Sequence, residues 1–155
     1  MSHNSEISKA ERRRLAVASA TLGPWRAAAA VGGLGGGVAL ALGTIGDGIG
    51  LGLGVLAGAL SVALMLFFMV GGAGAVLGDR PGAGSGSDRR IRRWAAAHPW
   101  RVAAVPGALM VAADVVVHQA LTRQGIFGSV WDGLWRGAMV VAVVGLVGRF
   151  SRGRG

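Results

Sequence analysis

Long uncharged apolar runs alternate along this chain with short stretches crowded by arginine, and that alternation predicts the architecture. A helix needs about 20 apolar residues to cross the hydrocarbon core of a bilayer. Residues 27–44 and 49–76 carry no charge and reach that length. The second run exceeds a perpendicular crossing, so it predicts tilt or an overhang. A third run, 102–121, is interrupted by Asp114 and His118. A fourth, 130–147, contains Asp132 and Arg136, and only 137–148 is uninterrupted apolar sequence. The pattern predicts an all-α membrane protein with four transmembrane helices. At 155 residues, 52% hydrophobic and mean hydropathy +0.55, the chain is too apolar for an ordinary soluble domain.

Charge then orients the spans. The N-terminal segment holds Lys9, Arg12, Arg13, Arg14 and Arg26. The middle connection holds Arg80, Arg89, Arg90, Arg92, Arg93 and Arg101, and the C-terminal segment holds Arg149, Arg152 and Arg154. Of the 16 basic residues only Arg123 falls between spans three and four, with Arg136 beyond it in span four, and none falls between spans one and two. Cytoplasmic loops carry the excess of Lys and Arg, so both termini and the middle connection are expected inside. The bias of basic residues toward Arg fits a GC-rich bacterial genome, which makes the inner membrane the expected location. No small-residue cleavage site follows a short apolar core, so the N-terminal segment reads as retained rather than cleaved.

The apolar segments open alike. Pro24-Trp25-Arg26-Ala27-Ala28-Ala29 returns as Pro99-Trp100-Arg101-Val102-Ala103-Ala104, each copy after an Arg-rich stretch. Asp47-Gly48-Ile49 returns as Asp132-Gly133-Leu134, displaced by an insertion between spans three and four. Proline suits a first helical turn, tryptophan the bilayer interface and arginine the cytoplasmic side. The reading is a tandem duplication of one helical hairpin. Residues 1–23 form a basic tail with a short interfacial helix, 24–77 the first hairpin, 78–98 a Gly/Ser linker and a basic helix, 99–148 the second hairpin, and 149–155 a basic tail. Ser8 with Glu11 makes a capping box for the first interfacial helix, and Gly23-Pro24 ends it. In the middle connection 81–87 is flexible linker, Asp88 caps 89–97, and His98-Pro99 ends that helix. Ile91, Trp94 and Ala95 share one face, so both short helices are expected to be basic and amphipathic.

Glycine at four-residue spacing lets helix backbones approach closely, which drives packing where lipid removes the hydrophobic effect. Gly46, Gly50, Gly54 and Gly58 form such a row, and Gly133/Gly137 form another. Packing inside the chain is the favoured use, with a homo-oligomer interface the alternative. Gly50-Leu51-Gly52-Leu53-Gly54 is no phosphate loop, because it lies in an apolar span with no Lys-Ser/Thr after it.

Intramembrane polar residues carry the candidate chemistry. Asp114 and His118 stand four apart on span three, as do Asp132 and Arg136 on span four, so each pair shares a helix face. Counted from the outer ends, Asp114 and Arg136 both lie on the order of 10 Å deep, with His118 and Asp132 nearer the surface. If the spans are antiparallel neighbours, Asp114 meets Arg136 and His118 meets Asp132. An unpaired charge at such depth costs several kcal/mol, so partners are expected. One reading is an electrostatic clip holding the fourth span. The other is a proton or cation pathway that includes the imidazole.

The remaining chemistry narrows the function. Without cysteine there is no thiol catalysis and no Cys-ligated metal, and the histidines have no metal-ligand spacing. No catalytic constellation and no cofactor fingerprint is visible, so no catalytic, metal or cofactor residue is assigned. Arg12, Arg13, Arg14, Arg89, Arg90, Arg92 and Arg93 are expected to hold anionic lipid at about 1 kcal/mol per residue. Nucleic-acid phosphates are the minor alternative, with Trp94 stacking on a base. The leading expectation is a non-enzymatic inner-membrane protein, either an accessory or scaffold subunit of an unidentified membrane partner or a homo-oligomer. A small proton- or cation-coupled transporter or pore is the second reading. An anchor for DNA-handling machinery, such as that of plasmid transfer, is the third.

Overall fold

The computed structural model describes residues 11, 14–18, 23–46, 52–77, 86–122 and 125–151, with the backbone alone for 86–90 and 92. Among the described residues five longer helices follow in order: α1 (Trp25–Gly46), α2 (Leu53–Leu77), α3 (Gly86–Ala97), α4 (Pro99–Leu121) and α5 (Ile126–Ser151). Residues 14–18 are also helical. All except α3 are long and apolar enough to cross a membrane. At about 1.5 Å per residue they run roughly 33 to 39 Å, longer than a hydrocarbon core of about 30 Å. The protein is therefore a multi-pass, all-helical membrane protein.

α1 packs along α2 and α4 along α5, forming two antiparallel hairpins, and α2 joins them by packing on both α4 and α5. Phe68 and Val76 of α2, Val102, Ala103 and Met110 of α4, and Val140 and Val144 of α5 meet in the core, with Ala95 of α3 closing one end. Pro106 stands inside α4 and is buried. It can donate no hydrogen bond to the preceding turn, and its ring lies against Gly72 of α2, where an added Cβ would come within 3.0 Å of the proline Cγ.

Glycine sets the spacing within each hairpin. Gly32 of α1 faces the Ala63 carbonyl and Gly36 faces the Ala63 side chain, where a Cβ would sit 2.6 and 2.7 Å away. In the second hairpin a Cβ on Gly137 would sit 2.8 Å from the Gly107 carbonyl, and one on Gly107 would sit 3.0 Å from the Gly137 carbonyl. At one end of the bundle the hairpins share a further arrangement. The Trp25 indole covers Gly71 and Pro24 covers Gly74, while the Trp100 indole covers Gly145 and Pro99 covers Gly148.

Several boundaries depart from expectation, and α2 starts at Leu53 rather than at 49. The fourth span starts at Ile126 rather than at 130 and ends at Ser151. Its polar residues do not shorten it, because Asp132 is partly buried and Arg136 reaches inward to a partner. α3 starts at Gly86, so Asp88 lies inside the helix instead of capping it. On α3, Ala95 is buried, Ile91 and Trp94 are half-buried and Arg93 is exposed, as the shared face predicts. The Asp47 turn, the Ser8 cap and the linker 81–85 lie outside the described residues.

Candidate functional site

Asp114 sits in the last third of α4, two turns before its end, and is completely buried. A carboxylate there must be matched by donors, since burying an unpaired charge is far costlier than burying a paired one. Two side chains donate to it and a third stands beside it. Arg136 of α5 donates through Nη1 to Oδ2 at 2.6 Å. The Ser61 hydroxyl of α2, itself fully buried, donates to Oδ1. His118, one turn along α4, places Nδ1 at 3.6 Å from Oδ2 and donates from it to the Asp114 backbone carbonyl at 3.0 Å. Among the described residues no buried side-chain nitrogen or oxygen lacks a partner. One carboxylate thus ties together three of the four long helices.

The glycines of α4 and α5 make this contact reachable. Gly107 and Gly137 bring the two backbones together beside Arg136, and a Cβ on Gly133 would sit 3.1 Å from the Val111 carbonyl. Close helices leave the long arginine side chain bent toward Asp114 with 26% of it still exposed. A second polar link lies nearer the α4–α5 turn. Gln119 Nε2 donates to Ser129 Oγ at 3.0 Å, and Ser129 Oγ donates to the Ile126 carbonyl at 2.9 Å. The Thr122 hydroxyl donates to the His118 carbonyl at 2.7 Å and closes the end of α4.

Asp114 and Arg136 are brought together, as expected of charges at similar depth on neighbouring helices, although α5 starts four residues earlier than expected. His118 differs from expectation, because its Nδ1 turns to Asp114 on its own helix rather than across to Asp132. A partner four residues away on one helix face lies within reach without any interhelical approach. Asp132 is partly buried one turn before Arg136 on α5. Ser61 is the member that sequence reasoning missed. One signal could have found it: Ser61 is the sole polar side chain between Asp47 and Asp79.

The other candidate residues are dispersed. Gly133 and Gly137 face α4, whereas a Cβ on Gly46, Gly54 or Gly58 would meet nothing, so these do not seat α1 on α2. Gly50 lies outside the described residues. Arg14 and Arg93 are exposed, Arg89, Arg90 and Arg92 lie on α3, and Arg12 and Arg13 lie outside the described residues. Among the described residues no three His, Cys, Asp or Glu converge to hold a metal ion. No protein family, curated protein or solved structure matches the chain.

Proposed function

We propose that this is a non-enzymatic inner-membrane protein that works through its outer helix faces, as an accessory or scaffold subunit or as a homo-oligomer. In this reading the charged network is an internal clip. The observation that carries it is the closure of the Asp114 site: the carboxylate is wholly buried, its two oxygens accept from Ser61 and Arg136, and the His118 ring lies beside it on the same helix. A group so engaged fixes how α2, α4 and α5 assemble, and buried polar pairs are best attested as devices of register. The faces left open are apolar or small. α1 exposes Leu34, Val38, Leu42 and Ile45, and the open glycines at Gly54 and Gly58 leave α2 backbone accessible to another helix. The repeated seat of Trp and Pro on paired glycines supports descent from one duplicated hairpin, and the arginines favour cytoplasmic termini.

The test is a gentle-detergent pull-down of a tagged full-length chain from native membranes, with mass spectrometry and measurement of the particle mass. A stoichiometric partner, or a homo-oligomer of defined mass, is the expected result. A monodisperse monomer without partner would sink this reading.

One observation favours transport as the second reading. Arg136 is part-exposed while contacting the buried Asp114, so the network has one edge toward the surface. Proton or cation flux through liposomes that fails in Asp114→Asn, with folding intact, would establish it. Equal flux in the two proteins would remove it.

A further inference from the structure

The end of the bundle that carries Arg26, Arg101 and Arg149 also carries a cavity. It measures about 320 Å³ and is lined by Ala97, His98, Pro99, Trp100, Arg101 and Arg149. That is the lower end of the range of small-ligand sites, roughly 300–1,000 Å³. The packing of the second hairpin builds it. Pro99 and Trp100 press onto Gly148 and Gly145, which draws the start of α4 against the end of α5 and sets Arg101 and Arg149 around the opening. Among the described residues no hydrogen bond or ion pair engages either guanidinium. The His98 ring is fixed by stacking on Trp94 at 4.9 Å, and its Nδ1 donates to the Trp94 carbonyl at 3.2 Å.

Two guanidinium groups in one cavity with no partner among the described residues call for an anion, and the planar fork of arginine suits phosphate oxygens. The surroundings say what the anion is attached to. Trp100 is 45% exposed at the rim, and Leu146 and Phe150, flanking Arg149 on α5, are exposed apolar side chains. Charged contacts next to an apolar flank, at the end of a membrane-crossing helix, match a lipid better than a soluble ion. Basic pockets between membrane helices hold such headgroups. The first hairpin supplies a natural contrast: it has the same Trp25–Gly71 and Pro24–Gly74 seat, but the residue after Gly74 is buried Ala75, where Arg149 follows Gly148.

We propose that this cavity seats the phosphodiester headgroup of an anionic phospholipid, held by Arg101 and Arg149, and that the second hairpin alone carries such a seat. The inference needs the chain to lie in a bilayer but does not depend on the scaffold reading. The test is native mass spectrometry of the detergent-solubilised full chain titrated with dioleoyl phosphatidylglycerol or dioleoyl phosphatidylcholine. The wild type is expected to retain the first phosphatidylglycerol selectively. R101Q/R149Q is expected to weaken that binding roughly tenfold or more, while K9Q/R26Q, losing the same charge elsewhere, weakens it by less than about threefold. Equal weakening in both doubles, or equal retention of the two lipids by the wild type, overturns the site. Displacement of phosphatidylglycerol by millimolar inorganic phosphate assigns the cavity to soluble phosphate and overturns the lipid. If R101Q/R149Q loses its folded elution profile, the single R149Q decides: lost selectivity supports the seat and unchanged selectivity removes it.

Discussion

The Arg136 guanidinium lies 2.6 Å from Asp114 Oδ2, yet the two residues are buried to very different degrees. Asp114 is sealed from solvent, while 26% of the Arg136 side chain is exposed. Deleting one partner of a buried pair costs about 3–5 kcal/mol when the survivor stays buried and charged. The penalty must therefore be asymmetric. Arg136→Gln strands a carboxylate with no exit and is expected to cost close to that full amount. Asp114→Asn strands an arginine that can swing outward, and is expected to cost less than half as much. Thermal unfolding of both variants in detergent, followed by fluorescence-detected size exclusion, checks the order. Equal losses would show that the guanidinium cannot leave.

Ser61 gives a second, independent reading of the same carboxylate. A hydrogen bond to a charged group is worth about 1.5–3 kcal/mol. Ser61→Ala removes that donor from the Asp114 oxygen Arg136 does not touch, so it is expected to destabilise by about that amount. Combined with Asp114→Asn it is expected to add much less, because the group it served is then neutral. Additive effects in the double variant would mean that Ser61 serves packing alone.

The spans and the Asp114–Arg136 pair were legible in the sequence for physical reasons. Uncharged runs at 27–44 and 49–76 admit one solution in a bilayer, and charges at equal depth on neighbouring helices must find each other. What the sequence hid was which helix faces meet. Gly46, Gly54 and Gly58 look like a packing row, yet α1 sits on α2 through Gly32 and Gly36, which share the same four-residue spacing, while a Cβ on Gly46 of α1 or on Gly54 and Gly58 of α2 would meet nothing. Spacing along one helix says which residues share a face, but not where the face points. Ser61 was hidden for the same reason, since its significance comes from α2 lying opposite Asp114.

The glycine seats predict opposite outcomes for one substitution at two sites. At Gly145 a new Cβ runs into the Trp100 ring. Gly145→Ala is therefore expected to cost about 1–3 kcal/mol, the usual range for overpacking. At Gly37 a Cβ meets nothing, and alanine is a better helix former than glycine by roughly 0.5–1 kcal/mol. Gly37→Ala is expected to leave monomer stability unchanged or raised. Unfolding temperatures of the two variants decide the matter. If Gly37→Ala instead lowers the particle mass, that face of α1 is where another chain packs.

The absence of cysteine makes the orientation directly measurable, because any introduced thiol is labelled without background. Gly125 lies in the α4–α5 turn, is exposed, and has open space where its Cβ would be. Gly153 follows the opposite end of α5 and sits among Arg152 and Arg154. If the arginines mark the cytoplasm, Gly125→Cys reacts with a membrane-impermeant maleimide in intact cells from which the outer barrier has been stripped, and Gly153→Cys reacts only after lysis. Gly125 precedes α5 and Gly153 follows it in the sequence, so a single crossing by α5 requires labelling from opposite sides whichever way the protein is inserted. Labelling of both from one side would thus contradict the crossing of α5. Reversed labelling would leave the fold intact and overturn only the inference from charge.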